Sequence, residues 1–188
     1  MEFDHLSTLI TIVLGLGITN LLTGTAVLIR TRSEATIYWP VTVWMGTLFL
    51  ALVQNWWTMF ALRQVTHWNF VAFFIVLMQP VLLFLPTALI IPNPFGGLPV
   101  DLRADFYRHT RWFFACLAAE ACASLAKDVM LYGKLPRAGN LAAHIGFLTF
   151  AAIGCWTRNE RVHKTGALLA LFGYIFYTIR LFLRLEGM

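Results

Sequence analysis

Long apolar stretches separated by short polar breaks dominate the hydropathy pattern of this chain. Six of them, near 6–29, 38–61, 69–91, 112–132, 141–157 and 165–183, take up most of its 188 residues. A helix rises about 1.5 Å per residue, so stretches of this length can cross a hydrocarbon core about 30 Å thick. The pattern predicts an all-α fold: a polytopic integral membrane protein in which residues 1–188 form one bundle of six transmembrane helices. No connecting segment is long enough to fold independently.

Finer features place the ends and faces of these helices. In the first stretch Gly17, Asn20 and Gly24 fall on one face, which lets another helix approach while Asn20 hydrogen-bonds across the contact. Aromatic residues bracket the second: Tyr38, Trp39 and Trp44 at one end, Trp56 and Trp57 at the other, with Trp68 just beyond. These, with Trp112 and Trp156, read as interfacial girdles, because an indole wants headgroup or water at its N–H and acyl chain at its ring. Pro80 and Pro86 predict a kink in the third stretch, with Gln79 placed to satisfy a freed carbonyl. The segment 92–99 is a string of turn residues. Asp101 then reads as the N-cap of a short basic-aromatic helix through Arg103, Phe106 and Arg111 that lies at the headgroups before the fourth span.

Composition agrees with this picture. The chain is 59% hydrophobic and 12% charged, and its mean hydropathy of +0.71 is far from that of a water-soluble domain. A net charge of +5 would suggest nucleic acid in a soluble protein. Here the basic residues sit in short loops and at helix ends, where they meet lipid headgroups, so no nucleic-acid partner is expected.

The first span is expected to remain as a permanent helix. Its flank, Met1-Glu2-Phe3-Asp4-His5, is acidic where a cleavable signal is basic. Counting Lys and Arg gives eight on the first, third and fifth loops against six on the opposite side. That bias predicts odd loops in the cytoplasm and both termini on the non-cytoplasmic side; the membrane expected is the plasma (inner) membrane. Cys116, Cys122 and Cys155 all fall in spans without a redox or metal spacing, and read as packing residues.

The chain carries no Gly-rich phosphate loop, zinc-protease motif, nucleophile elbow or selectivity-filter sequence. Candidate chemistry therefore rests on polar residues inside apolar spans. Glu120 is the sharpest of these. An ionised carboxylate facing lipid at mid-span costs on the order of 2.5–3.5 kcal/mol, so Glu120 must face protein or water, be paired, or be held protonated. Ser124 and Lys127 share its face at i+4 and i+7.

Depth matching across short hairpins puts Asp128 level with His144, and Arg180 near Asn140 and His144, with Gln54 and Asn55 at the same side of the bilayer. A polar layer results, with Glu120 as its deepest member. Lys127 and Asp128 are adjacent and cannot both point one way, but either could meet His144 or Arg180. No metal site or cofactor is indicated by fixed ligand spacing. Tyr174 and Tyr177 line part of the sixth span.

Three functions fit these residues. A small channel or transporter-like protein would use an outward cavity leading to Glu120, along Asn55, Asp128, His144 and Arg180, with Pro80 shaping its wall. A membrane enzyme acting on lipid or quinone would use Asp128–His144 as a base pair, with Arg180 on an anionic headgroup. An accessory or assembly subunit would bind partner helices through its Gly, Ala and Trp faces. A homo-oligomer is a further possibility, since six short helices enclose only a modest cavity.

Overall fold

The computed structural model describes residues 2–31, 35–63, 65, 68–91 and 101–185, and the side chains of these residues other than 2–4, 61 and 181–185; statements of absence below refer to what is described. The chain is all-helical: α1 (Glu2–Arg30), α2 (Trp39–Leu62), α3 (Phe70–Ile90), α4 (Leu102–Tyr132), α5 (Ala138–Trp156) and α6 (Glu160–Leu185). The turn-rich segment 92–99 lies outside the described residues.

Four helical stretches, His5–Arg30, Phe70–Ile90, Ala138–Trp156 and Glu160–Arg180, are long and apolar enough to cross a membrane. The other two helices, α2 and α4, are as long, but carry the polar residues that matter for the site. Gln54 and Asn55 lower the hydropathy of α2, and Glu120, Lys127 and Asp128 that of α4.

Helix termini follow from local chemistry. The Asp101 carboxylate accepts hydrogen bonds from the N–H groups of Arg103 and Ala104, both at 2.9 Å, satisfying donors that have no partner within the helix. At the far end Gly133 adopts a left-handed conformation (φ 66°) and its N–H closes on the Val129 carbonyl, a geometry glycine adopts without a Cβ penalty. The sequence predicts a separate headgroup helix before the fourth span; α4 instead runs unbroken from Leu102 to Tyr132. No Pro or Gly interrupts that stretch, and Leu102, Phe106, Thr110 and Phe113 bury one continuous face. Replacing Asp101 with alanine is expected to lower stability by about 0.5–2 kcal/mol, measured by thermal unfolding in detergent.

The helices pack as an incomplete ring. Going round it, α6 lies on α2, α2 on α3, α3 on α4 and α4 on α5, while α5 and α6 scarcely touch. Outside this ring α1 packs across α2 and α3. A Cβ on Gly17 would lie 3.1 Å from Leu52 of α2, and Asn20 donates to the Thr87 hydroxyl of α3 at 3.3 Å. The small and amide residues of α1 thus seat it where α2 and α3 meet.

Aromatic side chains fill the end of the ring that carries the first, third and fifth loops. Trp44, 1% exposed, stacks on Phe150 at 6.2 Å and meets the edges of Phe113 at 5.1 Å and Phe114 at 5.6 Å. Its place in the core corrects its reading as a girdle residue. Helical phase decides the matter: Val41, Leu48 and Leu52 share its inward stripe. Trp39, Trp56, Trp57, Trp112 and Trp156 are exposed. Beside this cluster His163 is buried, its Nε2 against the Thr157 carbonyl at 3.0 Å and its ring among Phe106, Tyr107 and Phe114.

A candidate ligand-binding site

The ring encloses a cavity of about 510 Å³, lined by α2, α3, α4, α5 and α6. Its volume is typical of a chamber for one small ligand. The floor is apolar: Trp44, Leu48, Leu83, Leu117 and Phe150. Toward the opposite end the walls turn polar, through Gln54, Asn55, Thr58, Lys127, His144 and Tyr177. Glu120 sits between the two zones. This gradient comes from helical register, since on α4 the cavity-facing positions run Leu117, Glu120, Ala121, Ser124 and Lys127, at i, i+3, i+4, i+7 and i+10.

The Gln79 carboxamide donates a hydrogen bond to the Glu120 carboxyl, and the Lys127 and His144 side chains are the basic groups that act on it electrostatically. Gln79 is buried in α3, just before Pro80. Its amide serves the carboxyl of the neighbouring helix, and α3 runs on through both prolines to Ile90. Pro80 is buried too, but Gln79 and Leu83 form this part of the wall.

His144 has a defined tautomer. Its Nδ1 lies 2.8 Å from the Asn140 carbonyl, which can only accept, so Nδ1 carries a proton. Its Nε2 meets the Ser124 hydroxyl at 3.3 Å. Gln54 accepts from Thr178 at 3.2 Å, tying α2 to α6 at this level.

Lys127 lines both the main cavity and a side pocket of about 100 Å³ that reaches Ile10 of α1 and Val76 of α3. Among the described residues no carboxylate lies within ion-pair distance of its ammonium; the ion pairs there are Arg103–Glu160, His109–Asp105 and Lys164–Glu160.

Five of the residues singled out from the sequence (Gln54, Asn55, Glu120, Lys127 and His144) are thus brought to one cavity. Two are not. Asp128 is half-buried beside Tyr132 and Tyr177, on the flank of α4 turned from the cavity. Arg180 is exposed, its guanidinium 5.3 Å above the Phe176 ring. The partner of His144 is Ser124. Sequence reasoning gave Gln79 and Trp44 other roles, and Thr58 no role at all. Gln79 carried a usable signal, a lone amide in an otherwise apolar span. Among the described residues no group of three His, Cys, Asp or Glu side chains is placed to hold a metal ion. No protein-family model, no curated protein and no solved structure is similar to this chain.

Proposed function

We propose that the protein is a six-span, transporter-like membrane protein in which the cavity is the substrate chamber and Glu120 the proton- or cation-responsive group. The observation that carries this reading is the position of Glu120, a carboxyl at mid-helix that faces a chamber closed at one end by packed aromatic rings. Carboxyl groups deep in membrane helices are costly, and are retained where they face a cavity and handle charge. A floor closed by Trp44 and Phe150, with Phe113 and Phe114 packed against them, suits a carrier that binds and releases better than an open pore.

On this reading α2 and α4 cross the bilayer with the other four helices, their polar residues sheltered inside the ring. The Lys and Arg bias then puts the aromatic floor toward the cytoplasm and the polar end toward the outside.

The test is proton movement in liposomes loaded with a pH-sensitive dye, challenged in turn with inorganic cations, organic acids and organic amines. Wild-type protein is expected to couple at least one solute class to proton movement. Glu120→Gln keeps the shape and the Gln79 contact but cannot ionise, and is expected to lose the coupled movement by at least about tenfold while eluting as folded protein. Coupled movement that survives unchanged in Glu120→Gln would remove Glu120 from the mechanism.

A second reading draws on the Ser124–His144 hydrogen bond, a hydroxyl and an imidazole facing the chamber. No proton movement with any solute, together with covalent labelling of Ser124 by a fluorophosphonate, would move the site from transport to lipid chemistry.

A further inference from the structure

The ring has one opening in its side, between α5 and α6. These helices are joined by a short turn and meet near it, where a Cβ on Gly166 would lie 2.6 Å from the Phe150 ring. Away from the turn they part, because α5 stays with α4 and α6 leans on α2. Gly146 on α5 and Gly173 on α6 both line the cavity, yet an added Cβ at either would meet nothing within 4 Å. Ala143 and Leu169, which also line the cavity, are exposed on the outside of the bundle. Residues flanking the gap, Ile145 (56% exposed), Phe172 (64%) and Phe176 (61%), are apolar and turned outward. An aqueous mouth would be polar; this one suits hydrocarbon.

Inside the gap the chamber is amphipathic along its length. Leu48, Leu83, Leu117 and Phe150 form the apolar part, and the ammonium of Lys127 stands in the polar part with Asn55, Thr58, His144 and Tyr177 around it. Lys127 has no carboxylate at ion-pair distance among the described side chains, and a cavity-lining ammonium without one offers an anion a charge-assisted hydrogen bond. Glu120 lies two helical turns deeper on α4, about 10 Å away along the axis, and is engaged by Gln79.

We propose that the gap between α5 and α6 is a lateral portal. Through it a single-chain amphiphile with an anionic headgroup passes from the lipid phase into the chamber. Lys127 holds the headgroup and the chain lies over the apolar floor. This rests on reading the cavity as a substrate chamber and adds the substrate class and its route.

Binding of radiolabelled hexadecanoate to the protein in zwitterionic nanodiscs tests both parts. Wild-type protein is expected to bind it in preference to hexadecyltrimethylammonium. Lys127→Met keeps the stem and removes the charge, and is expected to weaken binding roughly 10- to 100-fold. Gly173→Phe fills open space, so it should fold, and is expected to slow hexadecanoate uptake at least about tenfold. Uptake of water-soluble hexanoate should be untouched by it. Equal slowing of hexanoate, or no slowing of either acid, would overturn the portal. Preference for the cationic amphiphile, or full binding by Lys127→Met, would overturn the anionic class. Proton-coupled flux without hexadecanoate binding would overturn this proposal alone, and binding without any flux would overturn the carrier reading alone.

Discussion

Replacing Gly154 with alanine is expected to destabilise the protein by about 1–3 kcal/mol, and with leucine to prevent α5 from docking on α4. A Cβ at this buried position would stand 2.7 Å from Cγ, Cδ1 and Cδ2 of Phe114. Relief would require that ring to move, and it is 1% exposed. Phe113 at 5.2 Å, Trp44 at 5.6 Å and Phe150 at 5.7 Å hold it from three sides. Packed interiors leave no room for an added methyl unless neighbours leave their rotamers. The internal control is Gly146→Ala on the same helix, where nothing lies within 4 Å of the new Cβ. That change is expected to be neutral or to stabilise by about 0.4–1 kcal/mol, through the lower chain entropy of alanine. Chemical unfolding of both variants in detergent checks the pair, and equal stability would show that the Phe114 cluster is looser than its geometry implies.

Replacing Trp44 with alanine is expected to cost about 3–5 kcal/mol, the range for removing a large buried aromatic. The loss has a functional side, because this ring is the floor of the chamber. Without it the cavity deepens toward Phe113 and Phe114, and liposomes carrying the variant are expected to leak small ions that wild-type vesicles retain. Trp44→Phe separates the contributions. The indole Nε1 has no hydrogen-bond partner among the described residues, so a phenyl ring gives up ring area and no hydrogen bond. It is expected to fall well short of the alanine loss and to keep the vesicles tight.

Much of the fold was legible because long apolar runs admit few readings. Every helix lies close to its predicted span, save that α4 starts near Asp101, where the cap signal itself was legible. The polar cluster was legible for an energetic reason, since Glu120, Lys127 and His144 stand out against their apolar surroundings. What the pattern could not give was azimuth. Lys127 and Asp128 are about 100° apart on a helix, so one had to turn from the chamber, but only packing decides which. Trp44 could sit at an interface or in a core with equal hydropathy. The opening between α5 and α6 left no trace in the sequence, because apolar residues such as Ile145 and Phe172 suit either a helix contact or lipid, and a short turn between the helices suggests close pairing. Their partners, α4 and α2, drew them apart.

On the six-span reading the length of α4 sets the electrical position of the chamber. At 31 residues the helix is about 46 Å long, longer than a hydrocarbon core of about 30 Å. On the six-span reading, Arg111, whose guanidinium lies 5.9 Å over the Trp156 ring, would mark the level at which charge and indole meet at one membrane boundary. Glu120 is nine residues further along α4, about 13.5 Å deeper, close to the midplane of such a core. In a six-span protein, a unit charge moving between this carboxyl and either bulk phase crosses roughly half of the transmembrane voltage. With a field falling evenly, that is about 1.1 kcal/mol for every 100 mV. Occupancy of the chamber by any charged species would then follow the energised state of the membrane as well as concentration.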